Sequence, residues 1–142
     1  MKKIILCTLF FPIAGKAGFT SMHSYSTNLV EVRSGDWPMN LERTIEKSDT
    51  SYSLLFRDQQ VVTGVVMDTL PFSNLEQLKY FEKALSALKT GTNGDIAKFK
   101  DYSIKRAEVK REGIWYILRI KWGLTNFQQP ESDLMIRTIK TL

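Results

Sequence analysis

A single histidine, His23, and a single cysteine, Cys7, limit the chemistry this chain can perform. A Ser-His-acid triad, a Cys-His pair or a His-rich metal site needs one of them beside a suitable partner. His23 has no second histidine to share a metal ion, and Cys7 sits inside an N-terminal apolar run. The chain has no Gly-x-Ser-x-Gly elbow, no glycine-rich phosphate loop and no Asp-x-Asp-x-Asp-Gly calcium loop. Gly91-Thr92-Asn93-Gly94 is rich in glycine, but it follows a helical pattern, so no helix N-terminus faces an anion there. Carboxylates remain. Glu31, Asp36, Glu42, Glu46, Asp68 and Asp95 could supply the acid and base of a small carboxylate-dependent hydrolase. None of them lies among apolar neighbours that would raise its pKa. The pattern implies a protein that is not an enzyme, with no cofactor and no metal site.

Binding chemistry is better represented. From Asp95 to Trp122 there are eight basic residues against four acids, whereas Gly18 to Gly94 holds seven against nine. Lys105, Arg106, Lys110, Arg111, Arg119 and Lys121 therefore form a candidate cationic hairpin, interleaved with aromatic residues. Trp115 shares strand parity with Arg119 and Lys121 and is expected to be partly exposed. Tyr116 and Trp122 share the parity of Ile114, Leu118 and Ile120 and are expected inside. Such a surface suits an anionic ligand or an acidic protein partner. Single-stranded nucleic acid, held by phosphate neutralisation and base stacking, enters only if the chain stays in the cytoplasm. The competing reading is a solvated hairpin face over a core of aromatics.

The N-terminus bears on that choice. Met1-Lys2-Lys3 is followed by an apolar run from Ile4 to Ile13 and by Ala14-Gly15-Lys16-Ala17, the order of a secretory signal peptide. The apolar segment of about ten residues is short of the roughly 20 that span a bilayer as a helix. Cleavage after Ala17 would remove Cys7, Lys2, Lys3 and Lys16, leaving 17 basic residues against 15 acids. The formal net charge falls from +5 to +2. The expectation is a periplasmic or secreted protein without a transmembrane anchor after cleavage, a binding or accessory domain. About 125 residues would remain, enough for one core without disulfides.

The elements that must position these residues follow from periodicity. Residues 1–17 read as signal peptide, 18–28 as a flexible lead-in and 29–142 as a single α+β domain. Leu29–Val32, Met39–Glu46, Tyr52–Arg57 and Val61–Met67 read as strands. Asn74–Thr90 reads as a helix: Ser73 and Glu76 match a capping box, Gly91 follows, and Leu75, Leu78, Phe81, Leu85 and Leu88 form one stripe. Glu82 is placed on the opposite, solvent face. Tyr102–Lys110, Ile114–Trp122 and Leu134–Leu142 read as strands. The expected fold is an antiparallel sheet of about seven strands with one amphipathic helix on one face, in the order ββββ-α-βββ.

Overall fold

The structure is a computed structural model that describes residues 24–142. The leader, Cys7, His23 and the first part of the lead-in fall outside the described residues. The chain forms β1 (Ser24–Ser34), β2 (Trp37–Glu46), β3 (Asp49–Arg57), β4 (Met67–Phe72) and helix α1 (Leu75–Lys89). It continues with β5 (Ile96–Lys98), β6 (Tyr102–Val109), β7 (Gly113–Ile120), β8 (Leu124–Gln128) and helix α2 (Gln129–Lys140). The α+β class with antiparallel strands is as expected. The strands number eight, divided into two four-stranded meanders, β1-β2-β3-β4 and β5-β6-β7-β8, and there are two helices.

Each meander is built from neighbouring hairpins. Gly35 and Lys47 take positive φ (62° and 57°) in the two-residue connections of the first sheet, where the turn must match the strand twist. The first strand starts at Ser24, ahead of the expected Leu29, because Ser24–Asn28 pair with Glu42–Glu46 of β2. The register then shifts between Asn28 and Val30, a bulge at Leu29.

The inner faces of both sheets and both helices share one core. Leu41, Leu54 and Leu70 meet across β2, β3 and β4, and Ile104, Leu118 and Thr125 across β6, β7 and β8. Phe72 of β4, Phe81 of α1 and Tyr102 of β6 join the layers, with ring centroids 5.3 to 6.2 Å apart. Helix α1 packs on β3 and β4 and on β5 and β6, while α2 packs on α1, β1, β7 and β8.

Helix α1 begins one residue later than the sequence pattern placed its cap. Asn74 Oδ1 accepts from the Gln77 N–H at 2.9 Å, and Gln77 Oε1 accepts from the Ser73 N–H at 2.8 Å. This is the reciprocal logic of a capping box, carried by Asn74 and Gln77 rather than Ser73 and Glu76. Glu82 is buried, not solvent-facing, because α2 covers that side of α1; it accepts from Ser86 at 2.7 Å and faces Lys140 at 3.7 Å.

Two expected strands are something else. Leu134–Lys140 belongs to α2, where Ser132, Met135, Ile136 and Ile139 are buried at helical spacing and Pro130 occupies the first turn. The stretch Val61–Val66 is an exposed loop, and β4 begins only at Met67. Gly64 there has φ 85°, which breaks a strand pattern that composition alone favours.

Candidate functional site

The cationic residues anticipated between 105 and 121 are divided among four places. Lys105, Trp115 and Arg119 share the outer face of the second sheet, since the register pairs Lys105 with Ile117, Ala107 with Trp115, and Ser103 with Arg119. Lys110 and Arg111 lie in the β6–β7 turn, exposed, with Arg111 at φ 74°. Lys121 lies in the opposite turn, between β7 and β8. An eight-residue strand spans about 25 Å, so the two turns cannot contribute to one small site.

Arg106 is on the wrong side for a surface contact. It pairs with Tyr116 on the inner face and is 5% exposed. Its NH1 lies 2.5 Å from Glu108 Oε1, an ion-pair contact whose angles do not make a hydrogen bond, and its Nε has no acceptor. Strand parity separates 106 from 105, and the pairing with Tyr116 separates it from 115 and 119. Tyr116 is fully buried as expected, its hydroxyl donating to Gln129 Oε1, and burial pushes its pKa up. Trp122 is 76% exposed, contrary to expectation, because β7 stops at Ile120 and the chain turns.

A different grouping emerges from register. Lys98 of β5 pairs with Ser103, and Ser103 with Arg119, which puts Lys98 and Arg119 in one row across three strands. Lys105 stands two residues along the middle strand. With strands about 4.8 Å apart and a rise of about 3.3 Å, the three cations define a triangle of roughly 8 to 10 Å between Cα atoms. The outward residues are Ile96, Lys98, Ser103, Lys105, Ala107, Val109, Gly113, Trp115, Ile117, Arg119, Leu124, Asn126 and Gln128. Three are cations and none is an acid. Trp115 is half-buried there, and its Nε1 has no acceptor among the described residues. Sequence periodicity missed Lys98 because β5 is only three residues long.

The outer face of the first sheet is the opposite in charge. Glu31, Glu42, Glu46 and Asp49 lie outward, against Arg33 and Arg57. Of the carboxylates available to a hydrolase, Glu42 accepts from Ser26 at 3.2 Å, Asp36 is in the β1–β2 turn and Asp68 abuts Gly123. Asp95 accepts from the Thr92 N–H and hydroxyl at 2.7 and 3.0 Å, and these bonds hold its pKa below the usual carboxylate value.

Between the sheets runs a polar seam. Asp58, 4% exposed, accepts from the backbone N–H groups of Gln60 and Leu124 at 2.9 and 3.1 Å. The Gln59 N–H reaches the Leu124 carbonyl at 2.8 Å, and its side chain exchanges hydrogen bonds with Asn126. Ser34 and Thr125 bond through their hydroxyls at 2.8 Å. Apart from the local bond between Asp58 and Gln60, these contacts join residues far apart in sequence, so no local motif announced them. Elsewhere, Pro71, Tyr80, Phe99 and Tyr102 line a cleft of about 220 Å³ beside β4, smaller than an ordinary ligand pocket. Among the described residues, no group of three His, Cys, Asp or Glu side chains could hold a metal ion. No helix there is long and apolar enough to cross a membrane.

Comparison with protein-family models, with curated proteins and with solved structures finds no match to this chain. The reading of function rests on the surfaces just described.

Proposed function

We propose that the protein is an exported, non-enzymatic binding or accessory domain that takes an anionic ligand or an acidic protein surface on the outer face of β5–β7. The observation that carries this reading is the separation of charge between the sheets. Lys98, Lys105 and Arg119 point outward from one sheet with no acid among them, while four acids point outward from the other. Three ammonium and guanidinium groups with no counter-ion among the described residues lower the energy of an anion brought between them, and Trp115 and Ile117 supply apolar contact beside it. Lys110 and Arg111 at the hairpin tip extend the positive field without touching the same ligand group. Arg106 has no part in the surface. Export is supported by the charged, apolar and small-residue order of the leader.

Retention on immobilised heparin tests the surface. Lys98→Gln/Lys105→Gln/Arg119→Gln should elute at clearly lower salt than the natural chain, with an unchanged melting temperature because all three residues are exposed. Equal elution of the two would remove the cationic face from consideration. Intact mass of the natively produced protein tests export: a chain starting at Gly18 supports it, and one retaining Cys7 contradicts it.

A further inference from the structure

The β3–β4 connection, residues 58–66, meets the β7–β8 turn at one end of the molecule. Six of the eleven exposed large hydrophobic side chains among the described residues gather there: Trp37, Val62, Val65, Val66, Met67 and Trp122. Val62 is 90% exposed. Named contacts tie the group together. The Arg57 guanidinium lies 4.3 Å over the Trp37 ring and donates to the Gly64 carbonyl at 3.2 Å. On the other side, Gln59 bonds to Leu124 and Asp68 abuts Gly123, which brings Trp122 to the same rim.

From Gln59 to Met67 the chain carries no charged residue. Charge returns only at the margin, and there it is mainly positive. Arg57 stacks on Trp37, Lys121 lies 5.0 Å over Trp122, and Arg119 is paired with Leu124 next to the loop. The exposed acids at this end are Asp36 beside Trp37 and Asp101, which lies near Lys121 because Tyr102 pairs with Ile120; Asp58 is buried in the seam and Asp68 faces Gly123. An uncharged apolar tip ringed by tryptophans, each with a cation against it, matches the layering of a bilayer surface. Acyl chains lie deepest, the amphipathic interface comes next and anionic head groups lie outside.

We propose that this end of the molecule docks on an anionic lipid bilayer. Val62 and Val65 enter the boundary between head groups and acyl chains, Trp37 and Trp122 seat at head-group level, and Arg57, Lys121 and Arg119 meet the lipid phosphates. Penetration stops at that depth, because irregular backbone is not tolerated in the hydrocarbon itself. The loop reduces this cost internally: the Gly64 carbonyl is taken by Arg57, and the Val66 carbonyl accepts from the Asp58 N–H at 2.8 Å. The inference shares Arg119 with the β5–β7 face and otherwise rests on different residues.

Sedimentation of the natively produced chain with phosphatidylcholine–phosphatidylglycerol vesicles, and with phosphatidylcholine vesicles alone, tests the proposal. The natural chain should bind the mixed vesicles and bind the neutral ones more weakly. Val62→Asp/Val65→Asp should lose about tenfold in vesicle affinity, since it places two charges in the interface. Its melting temperature should not change, because both side chains are exposed. Lys121→Gln should weaken binding to the mixed vesicles alone. Equal binding by the aspartate variant, or absence of binding by the natural chain, overturns the proposal. So does a natural chain that dimerises without vesicles when the aspartate variant does not, which would assign the patch to a second copy. Lys98→Gln/Lys105→Gln, with the loop intact, should still bind mixed vesicles; loss of that binding would mean capture by the β5–β7 face instead.

Discussion

The two halves of the described chain run through the same order, four antiparallel strands and then a helix, and they differ in how the strands are joined. In the second half the three strand connections are three residues each. In the first half two connections have two residues and the third has nine, the stretch from Asp58 to Val66. A hairpin closes with far fewer. The extra length carries Val62, Val65 and Val66 into solvent, while the outer face of the second half carries Lys98, Lys105 and Arg119. One half has placed its unsatisfied surface in a loop and the other on a sheet. A long apolar connection retained where a turn would do is the stronger sign of a contact, because sheet faces must point outward in any case.

Both halves are expected to unfold together, because Phe72, Phe81 and Tyr102 bridge them. Phe56→Ala in β3 and Phe127→Ala in β8 remove fully buried rings, and each should cost about 3–5 kcal/mol. Urea unfolding should remain a single transition in both. Two separated transitions would mean that the halves are independent units. A smaller effect is expected at the seam. Asp58→Ala strands the N–H groups of Gln60 and Leu124, at a cost of roughly 2–3 kcal/mol, whereas Asp58→Asn keeps the accepting oxygen and should lose less. If alanine and asparagine were equally mild, the halves would be held by apolar packing alone.

The smallest effect concerns the helices that close each half. Lys89 of α1 lies 2.8 Å from Asp133 of α2. The hydrogen bond from Lys89, with a second from Gln129, holds the Asp133 carboxyl below its ordinary value of 3.8, despite partial desolvation. A lowered folded-state pKa stabilises above the unfolded value, and the contribution is lost as the pH falls through the folded one. Asp133→Asn should therefore lower the melting temperature near neutral pH, and the difference should close as the pH falls through the lowered folded-state value. Both side chains are partly exposed, so the effect should stay under about 1 kcal/mol. A difference that persisted in acid would mean that packing, not charge, joins the two helices there.

Much of the fold was legible from periodicity. The stripe Leu78, Phe81, Leu85 and Leu88 indicated α1, and alternation placed Tyr116 and Leu118 inside. The errors have physical causes. Leu134–Leu142 was read as a strand, although Ser132, Met135, Ile136 and Ile139 are spaced for a helix, because so short an apolar run fits either period. Val61–Met67 is rich in β-branched residues and still forms a loop, since Gly64 and the bonds of Arg57 and Asp58 hold it bent. The candidate cations were recognised by type and only in part by position. Parity placed Trp115 correctly with Arg119, but counting charges along the chain ignored parity at Arg106.

The amino-acid order by itself determined the local quantities: which segments alternate, where α1 runs to within a residue of its cap, and that Tyr116 prefers the interior. These depend on residues within a few positions of one another. Tertiary structure decided which surfaces exist. Lys98 joins Arg119 only through two strand pairings, Asp58 meets Leu124 across 66 residues, and Trp37 and Trp122 reach one rim only because the sheets meet at that seam. Such neighbours are set by the packing of two sheets and two helices around one core, a long-range outcome that no short window of sequence contains.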